Sequence, residues 1–342
     1  MSPTGPGETP NEVTIYDVAE AAGVSPSTVS RAFSRPGRVS WRTAERVRAV
    51  AEQMGYRTDS IGQPRLPARF HTIGVATSDI TNPFFFSIVR GAESAASKAG
   101  YTLLLTDTQE SGVIEQETLA RALPIIDGMV IVTSRTSDTV LRSIAKQVPV
   151  VILNRHVPGL PCVVPDTARG MHRAVEHLAG LGHRRICYVS GPEASWADGV
   201  RWRAMGEAAH ERGLALSRVG PFAPTVVGGA TAASAVRDKE VTAVVTYNDV
   251  MAIGLSRALQ ASGLAVPRDL SIVGFDNTFA SDLVSPSLTT VAAPLRSLGE
   301  AGVNTVVAIT KGAKPATDRP HVLPTRLVVR ESTGPPPGPG SA

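Results

Sequence analysis

Cysteine is nearly absent: Cys162 and Cys187 are the only two in 342 residues, and they sit in or beside the apolar runs PCVVP and RRICYVS. Two thiols without metal-ligand spacing make neither a disulfide framework nor a zinc site, so both are expected to be reduced and partly buried, with no metal bound. No apolar run approaches the roughly eighteen residues of a membrane-spanning helix. The opening stretch MSPTGPGETPNEV has neither a basic segment nor an apolar core, so it does not read as a secretory signal. A cytoplasmic protein with no membrane partner is expected. Catalytic signatures are missing too. No strand is followed by G-x-G-x-x-G, no G-x-x-x-x-G-K-[ST] occurs, and no G-x-S-x-G elbow accompanies the scattered histidines. Neither a cofactor nor an enzymatic activity is expected, although an α/β fold says nothing about catalysis in itself.

The length suggests two or three domains, and 42% apolar with 19% charged residues is a soluble composition. The net charge of +4 is modest, but its placement is uneven. Between Asn11 and Phe70 every cation is an arginine: residues 31, 35, 38, 42, 46, 48, 57, 65 and 69. Six acids oppose them there: Glu12, Asp17, Glu20, Glu45, Glu52 and Asp59. A locally basic N-terminus suits a polyanion, though solvated helical faces reach the same excess. Residues 1–10 and the Pro/Gly-rich 334–342 read as disordered tails. Residues 11–57 carry helical periodicity, and 58–71, with Gly62, Pro64 and Pro67, read as a linker.

From Thr72 the texture changes. Apolar strand candidates at 72–78, 101–107, 128–134, 149–153, 185–190, 242–247 and 270–275 alternate with helix candidates at 84–99, 112–123, 166–181, 198–212, 248–262 and 295–312. Continuous apolar strands between helices predict parallel sheets covered on both faces. The run to residue 333 is long for one sheet, so a two-lobed α/β core is expected. Ligands in such folds bind at strand carboxyl ends, often between lobes.

The segment TIYDVAEAAGVSPSTVSR (14–31) predicts a helix-turn-helix. Thr14 is a good N-cap with Asp17 three residues on, and Ile15, Val18, Ala19 and Ala22 make one apolar face. Gly23 permits the left-handed turn, Ser25 caps again, and Pro26 costs nothing at a first helical position. Small Ala19 lets the helices cross closely. A third helix from Trp41 to Met54, capped by Ser40, packs on the first two. The second helix of such a motif enters the DNA major groove with its first residues. Pro26, Ser27 and Arg31 face outward, and Arg31 pairs with guanine or with a phosphate. A plain three-helix packing unit is the bland alternative.

Here the chain resembles the lactose-repressor (LacI) family of bacterial transcription regulators. VTIYDVAEAAGVSPSTVSRAF and VSWRTAERVRAVAEQMGY are similar to that family's headpiece, and IGVATSDITNPFFFSIVRGAE, LGHRRICYVSGP, VVTYNDVMAIGL, VPRDLSIVGFDN and PSLTTV extend the likeness from residue 13 to about 331. The resemblance implies a homodimer on a roughly palindromic operator, acting as a repressor under a small-molecule effector. The candidate DNA contacts are Thr14, Tyr16, Ser25, Pro26, Ser27, Thr28, Ser30, Arg31, Arg38 and Arg65. It further implies a core like that of periplasmic sugar-binding proteins, with one lobe of 72–165 plus 294–322 and another of 166–293 plus 323–333. Dimers rather than tetramers are expected, because the larger assemblies of this family use a C-terminal leucine heptad and this sequence ends GPPPGPGSA.

Polar residues past strand ends are effector candidates on chemistry alone: Asp79 and Asn82, Asn248 and Asp249, Asp276 and Asn277. Each suits hydroxyl recognition, yet each is also a natural helix N-cap. The resemblance singles out Arg201, Asn248 and Asp276 as effector contacts, with Phe84, Asn154 (a place often Asp) and Phe222 (a covering aromatic) beside them. One departure is Ala293, in LTTVAAP, where the family often has a polar side chain. Arg, Asp and Asn together favour a polyol or sugar, with a purine or other metabolite as the alternative. The linker departs as well: where relatives insert a hinge leucine, this sequence has Arg65, with Leu66 one place on. Gly62, Pro64 and Pro67 disfavour a helix, so 58–70 is expected to form no regular hinge helix, and Arg65 and Arg69 to follow the DNA backbone or enter the minor groove.

Overall fold

A computed structural model describes residues 13–34, 36–56 and 70–338. Thr14 opens the first helix, α1 (Ile15–Ala22). Its hydroxyl accepts from the Asp17 amide, while Asp17 Oδ2 accepts from the Thr14 amide at 2.7 Å. This reciprocal box satisfies donors that the first turn leaves free. Gly23 ends α1 in the left-handed region at φ 63°, a conformation a Cβ would strain. Ser25 then accepts from the Thr28 amide at 3.2 Å and starts α2 (Pro26–Ser34); Ser40 caps α3 (Trp41–Gln53). The three helices bury Val18, Ala19, Ala22, Val29, Ala32, Ala44, Val47 and Ala51. Nothing in that core is larger than valine, so the helices cross closely. The headpiece also touches the first lobe of the core: the Trp41 amide donates to the Lys146 carbonyl at 3.0 Å, and Arg42 to the Ala313 carbonyl at 3.3 Å.

The first lobe runs β1 (Thr72–Thr77), α4 (Pro83–Lys98), β2 (Thr102–Asp107), α5 (Gly112–Ala122), β3 (Gly128–Val132), α6 (Asp138–Ile144), β4 (Val150–Leu153) and β5 (Cys162–Pro165). The second runs α7 (Thr167–Gly180), β6 (Arg185–Val189), α8 (Trp196–Glu211), β7 (Ala215–Val219), α9 (Val226–Arg237), β8 (Ala243–Thr246), α10 (Asp249–Ala261), β9 (Ser271–Asp276), α11 (Ala280–Leu283) and β10 (Thr289–Ala292). The chain then returns for α12 (Leu295–Thr310) and β11 (His321–Leu323) in the first lobe and ends with β12 (Arg326–Val328) in the second. The sheets are ordered β11-β5-β4-β3-β1-β2 and β12-β10-β9-β8-β6-β7. Every described pairing is parallel except β12 with β10. β3, β4, β8 and β9 are buried at every position, as strands covered on both faces must be.

Three differences from the sequence reading have local causes. Leu323 pairs with Pro165 and so belongs to the first lobe, whereas it was expected in the second. The elements β5, β7, β10, β11, β12, α6, α9 and α11 were not anticipated; most are too short to show a period, and α9 carries the Gly228-Gly229 pair that weakens helix propensity. Gly334, expected in a disordered tail, is held instead. Its amide and carbonyl bond to Ser271 Oγ at 3.0 and 3.1 Å, and its carbonyl also meets His183 Nε2 at 3.0 Å. The expectations for residues 1–10, for the linker with Arg65, Leu66 and Arg69, and for 339–342 lie outside the described residues.

Candidate functional site

In the headpiece, Thr14, Tyr16, Ser25, Ser27, Ser30, Arg31 and Arg38 are exposed, and Pro26 and Thr28 half-buried. The hydroxyls of Ser25, Ser27 and Thr28 lie together at the start of α2, with Ser25 Oγ 2.9 Å from each of the other two. Hydroxyls gathered at a helix start suit phosphate oxygens, and Arg31 stands one turn further along the helix.

A second site lies between the lobes, where strand carboxyl ends from both sheets converge on a narrow space. The first lobe contributes Asn82, Phe84, Phe85, Glu110, Thr133, Arg135 and Asn154; the second contributes Arg201, Pro224, Tyr247, Asn248 and Asp276. Several wall residues at or just past strand ends take positive φ, a conformation that side chains rarely adopt: Glu110 (φ 56°), Thr133 (φ 54°), Asn154 (φ 59°) and Asp276 (φ 112°). Such backbone costs about 1–3 kcal/mol per residue and gathers where function fixes a side chain's direction.

The second-lobe wall centres on Arg201, carried by α8. Its guanidinium stacks 3.7 Å from the Phe275 ring centroid and 4.7 Å from that of Tyr247, donates to the Tyr247 carbonyl, and lies 3.4 Å from Asp276 Oδ1. Its Nε–H is buried and finds no acceptor among the described residues. A buried donor without a partner costs about 1–3 kcal/mol unless a ligand oxygen completes it. Burial pushes the Asp276 carboxyl well above its ordinary pKa, Arg201 pulls it back, and nearby Asp249 adds to the rise. Asp249 itself is spent on structure, accepting from the Thr278 amide and the Ser281 and Thr290 hydroxyls at 2.6–2.7 Å.

Opposite stands Arg135. Its Nε and Nη2 reach Glu110 Oε2 at 2.7 and 2.6 Å, and its Nη1 donates to the Thr133 carbonyl at 3.1 Å. Its own amide is held by buried Glu115 at 2.7 Å. Burial raises the pKa of Glu110, and Arg135 opposes that rise. For Arg135 burial acts downward, but the Tyr247 hydroxyl and Glu110 outweigh it and hold the guanidinium above its usual value. Arg135 and Tyr247 of the other lobe line the same space. Phe86 of α4 bridges the lobes, stacked on Phe279 with centroids 6.2 Å apart and planes at 15°.

Of the sequence candidates, Asn82, Phe84, Asn154, Arg201, Asn248 and Asp276 converge on this space. Asn82 and Asn248 are also the N-caps of α4 and α10, accepting from the Phe84 and Met251 amides at 3.0 Å, so the bland reading holds beside the other. Two candidates do not line it. The Asp79 carboxylate closes a local turn on Thr81, at 2.9 Å to the amide and 2.6 Å to the hydroxyl. Phe222 packs on the second-lobe core, and Pro224 takes the wall position. Glu110, Arg135 and Tyr247 were missed. All three lie within a few residues of a strand's carboxyl end, the same signal that picked out Asp276. Among the described residues no cluster of His, Cys, Asp and Glu could hold a metal, and no helix is long and apolar enough to cross a membrane.

Comparison with known proteins agrees with this layout. Residues 14–59 match the profile of bacterial regulatory proteins of the lacI family, and 175–333 that of a periplasmic binding protein-like domain. The HTH-type transcriptional regulator DegA of Bacillus subtilis (strain 168) is 33% identical over 341 residues, covering 95% of this chain and 99% of DegA. A LacI family transcriptional regulator from Enterococcus faecalis V583 with bound ribose superposes with a TM-score of 0.70 at 31% identity, covering 77% of this chain and 99% of that one. The lac repressor dimer bound to operator and the anti-inducer ONPF superposes with a TM-score of 0.68 at 28% identity, covering 95% of this chain and all of that one. A capped helix-turn-helix in front of a two-lobed core with a polar cleft thus has the sequence and fold of transcription regulators rather than enzymes, and the chain belongs to the LacI family of bacterial DNA-binding regulatory proteins.

Proposed function

We propose that this chain is a cytoplasmic repressor that binds a roughly palindromic operator as a homodimer and is controlled by a small carbohydrate held between its lobes. The observation that carries the effector half is Arg201, fully buried against two rings, paired with Asp276 and left with one donor unfilled. A sugar hydroxyl accepts from that Nε–H and donates to the Asp276 carboxylate, the two-way exchange that adjacent polyol oxygens provide. Asn154 and Asn248 offer both donors and acceptors beside it, and Phe84 and Phe85 supply the apolar wall that covers a sugar's C–H face. Because the space is lined from both lobes, a ligand there changes the free energy of lobe closure by its difference in affinity for the open and closed states. The ribose carried by one structural relative and the operator carried by another support the two halves of this reading.

The DNA half rests on α2, whose exposed Ser27, Ser30 and Arg31 face away from the headpiece core, with half-buried Pro26 and Thr28 and exposed Thr14, Tyr16 and Arg38 flanking them. The test is native mass spectrometry of the chain purified from its own host, followed by calorimetry with whatever is released. A co-purifying neutral carbohydrate that binds wild-type protein and not Arg201→Ala supports the proposal. A purine or nucleoside released in its place would replace the carbohydrate by the alternative effector class.

A further inference from the structure

The lining of the cleft holds two guanidinium groups and two carboxylates, and each lobe pairs its own. Arg201 with Asp276 belongs to the site as its family would have it. The pair on the first lobe is different in construction. Gln109 and Glu110 both take left-handed backbone, at φ 50° and 56°, and the Glu110 amide donates to the Ser78 carbonyl at 2.6 Å, so the turn after β2 is held in a costly shape that presents Glu110 to the cleft. Arg135 is fixed at three points: its amide on Glu115, its Nη1 on the Thr133 carbonyl, and its Nε and Nη2 on Glu110. Both nitrogens converge on Oε2, leaving Oε1 for another donor. The Arg135 side chain is 7% exposed and that of Glu110 26%, so the carboxylate is the more accessible half of the pair.

We propose, resting on the carbohydrate reading above, that Glu110 and Arg135 set the charge specificity of the effector site. Glu110 occupies the guanidinium that an anionic ligand would otherwise seek, and its carboxylate faces the cleft. A sugar carrying a carboxylate or phosphate therefore meets an acceptor with no proton to give and an arginine already satisfied. A neutral sugar donates a hydroxyl to Oε1 and disturbs nothing. Discrimination of this kind works through the repulsive element as much as the attractive one. Tyr247 of the second lobe lines the same space, so the Glu110–Arg135 pair forms part of a wall shared between the lobes.

Calorimetry on the full chain tests this with neutral monosaccharides (D-ribose, D-xylose, D-glucose and D-galactose), each set against its uronic acid or terminal phosphate ester. Wild-type protein is expected to bind at least one neutral member, and its charged partner at least about tenfold more weakly. Glu110→Gln should raise the charged-to-neutral affinity ratio by about tenfold or more, and adding Arg135→Gln should abolish that gain. If Glu110→Gln unfolds, as judged by circular dichroism, Arg135→Met serves instead. Read at a pH high enough to keep the unpaired Glu110 ionised, the ratio should fall at least about tenfold below wild type. Wild-type preference for a charged member, or an unchanged ratio in the folded variant, overturns the charge assignment and leaves the carbohydrate reading standing. Binding of hypoxanthine or adenosine with none of the sugars overturns both, as does binding of no member of the panel.

Discussion

Asp276 shows how a single residue comes to be committed to a ligand. It ends β9 with φ 112°, is buried, and has Arg201 as its side-chain partner at 3.4 Å, long for a salt bridge. A carboxylate so placed is expensive without further donors. Removing either partner leaves the other charge buried, so Arg201→Ala or Asp276→Ala should cost about 2–5 kcal/mol of effector affinity and leave operator affinity intact. Calorimetry showing unchanged effector affinity in both variants would reassign the pair to structure. Strand-end position and family likeness both pointed at Asp276 and Asn248, and family likeness alone at Arg201; all three line the cleft. Glu110 and Arg135 were passed over although both follow a strand's carboxyl end, because it is chiefly their pairing with each other that places them in the cleft. That pairing depends on the left-handed turn at Gln109–Glu110, and nothing in TDTQESG announces it to a reader of periodicity. Phe222, named from family likeness, and Asp79, named from residue type, do not line the cleft: Phe222 packs on the second-lobe core and Asp79 closes a local turn.

At the scale of elements, the helix-turn-helix was the most readable part, because caps, a left-handed glycine and an Ala/Val face all act within a few residues of chain. The expected consequence is that Arg31→Ala weakens operator binding by about 1–3 kcal/mol if the contact is to a guanine edge. Fluorescence anisotropy on operator and on random duplex decides it. An equal loss on both reassigns Arg31 to a phosphate, and no loss removes it from the interface. Helix packing in the core was not readable in the same way. α4 and α12 cross so closely that a Cβ on Gly299 would meet the Ile88 carbonyl oxygen, and one on Gly91 the Arg296 carbonyl oxygen. In sequence both glycines look like weak points of a helix. Gly299→Ala should therefore lower the unfolding free energy by about 1–3 kcal/mol despite its better helix propensity, and an unchanged urea midpoint would show that the helices separate without penalty.

The whole molecule joins three units through short seams. Residues near 166, 293 and 324 carry the chain between lobes, and the seam of Trp41 with Lys146 and Arg42 with Ala313 joins headpiece to first lobe. The alternation of strands and helices foretold the parallel sheets, and the length of that run the two lobes. The headpiece seam was hidden, since Trp41 reads equally well as the first residue of an amphipathic helix. Large apolar side chains remain exposed on the second lobe, among them Val227, Phe279 and Leu283 at 74, 58 and 76%. A two-fold partner would cover such a surface, and a homodimer is expected in sedimentation velocity at micromolar concentration. A monomer, or a dominant tetramer, would refute that assembly. The central claim is that ligand in the cleft changes the headpiece's hold on DNA. Its most direct test is operator affinity of the full chain by anisotropy, titrated with the co-purified effector, for wild type and Arg201→Ala in parallel. Wild type should shift by at least about fivefold, the lower end of ordinary allosteric coupling, and the variant not at all, with equal affinities when ligand is absent. An operator affinity indifferent to saturating effector in the wild-type protein would contradict it.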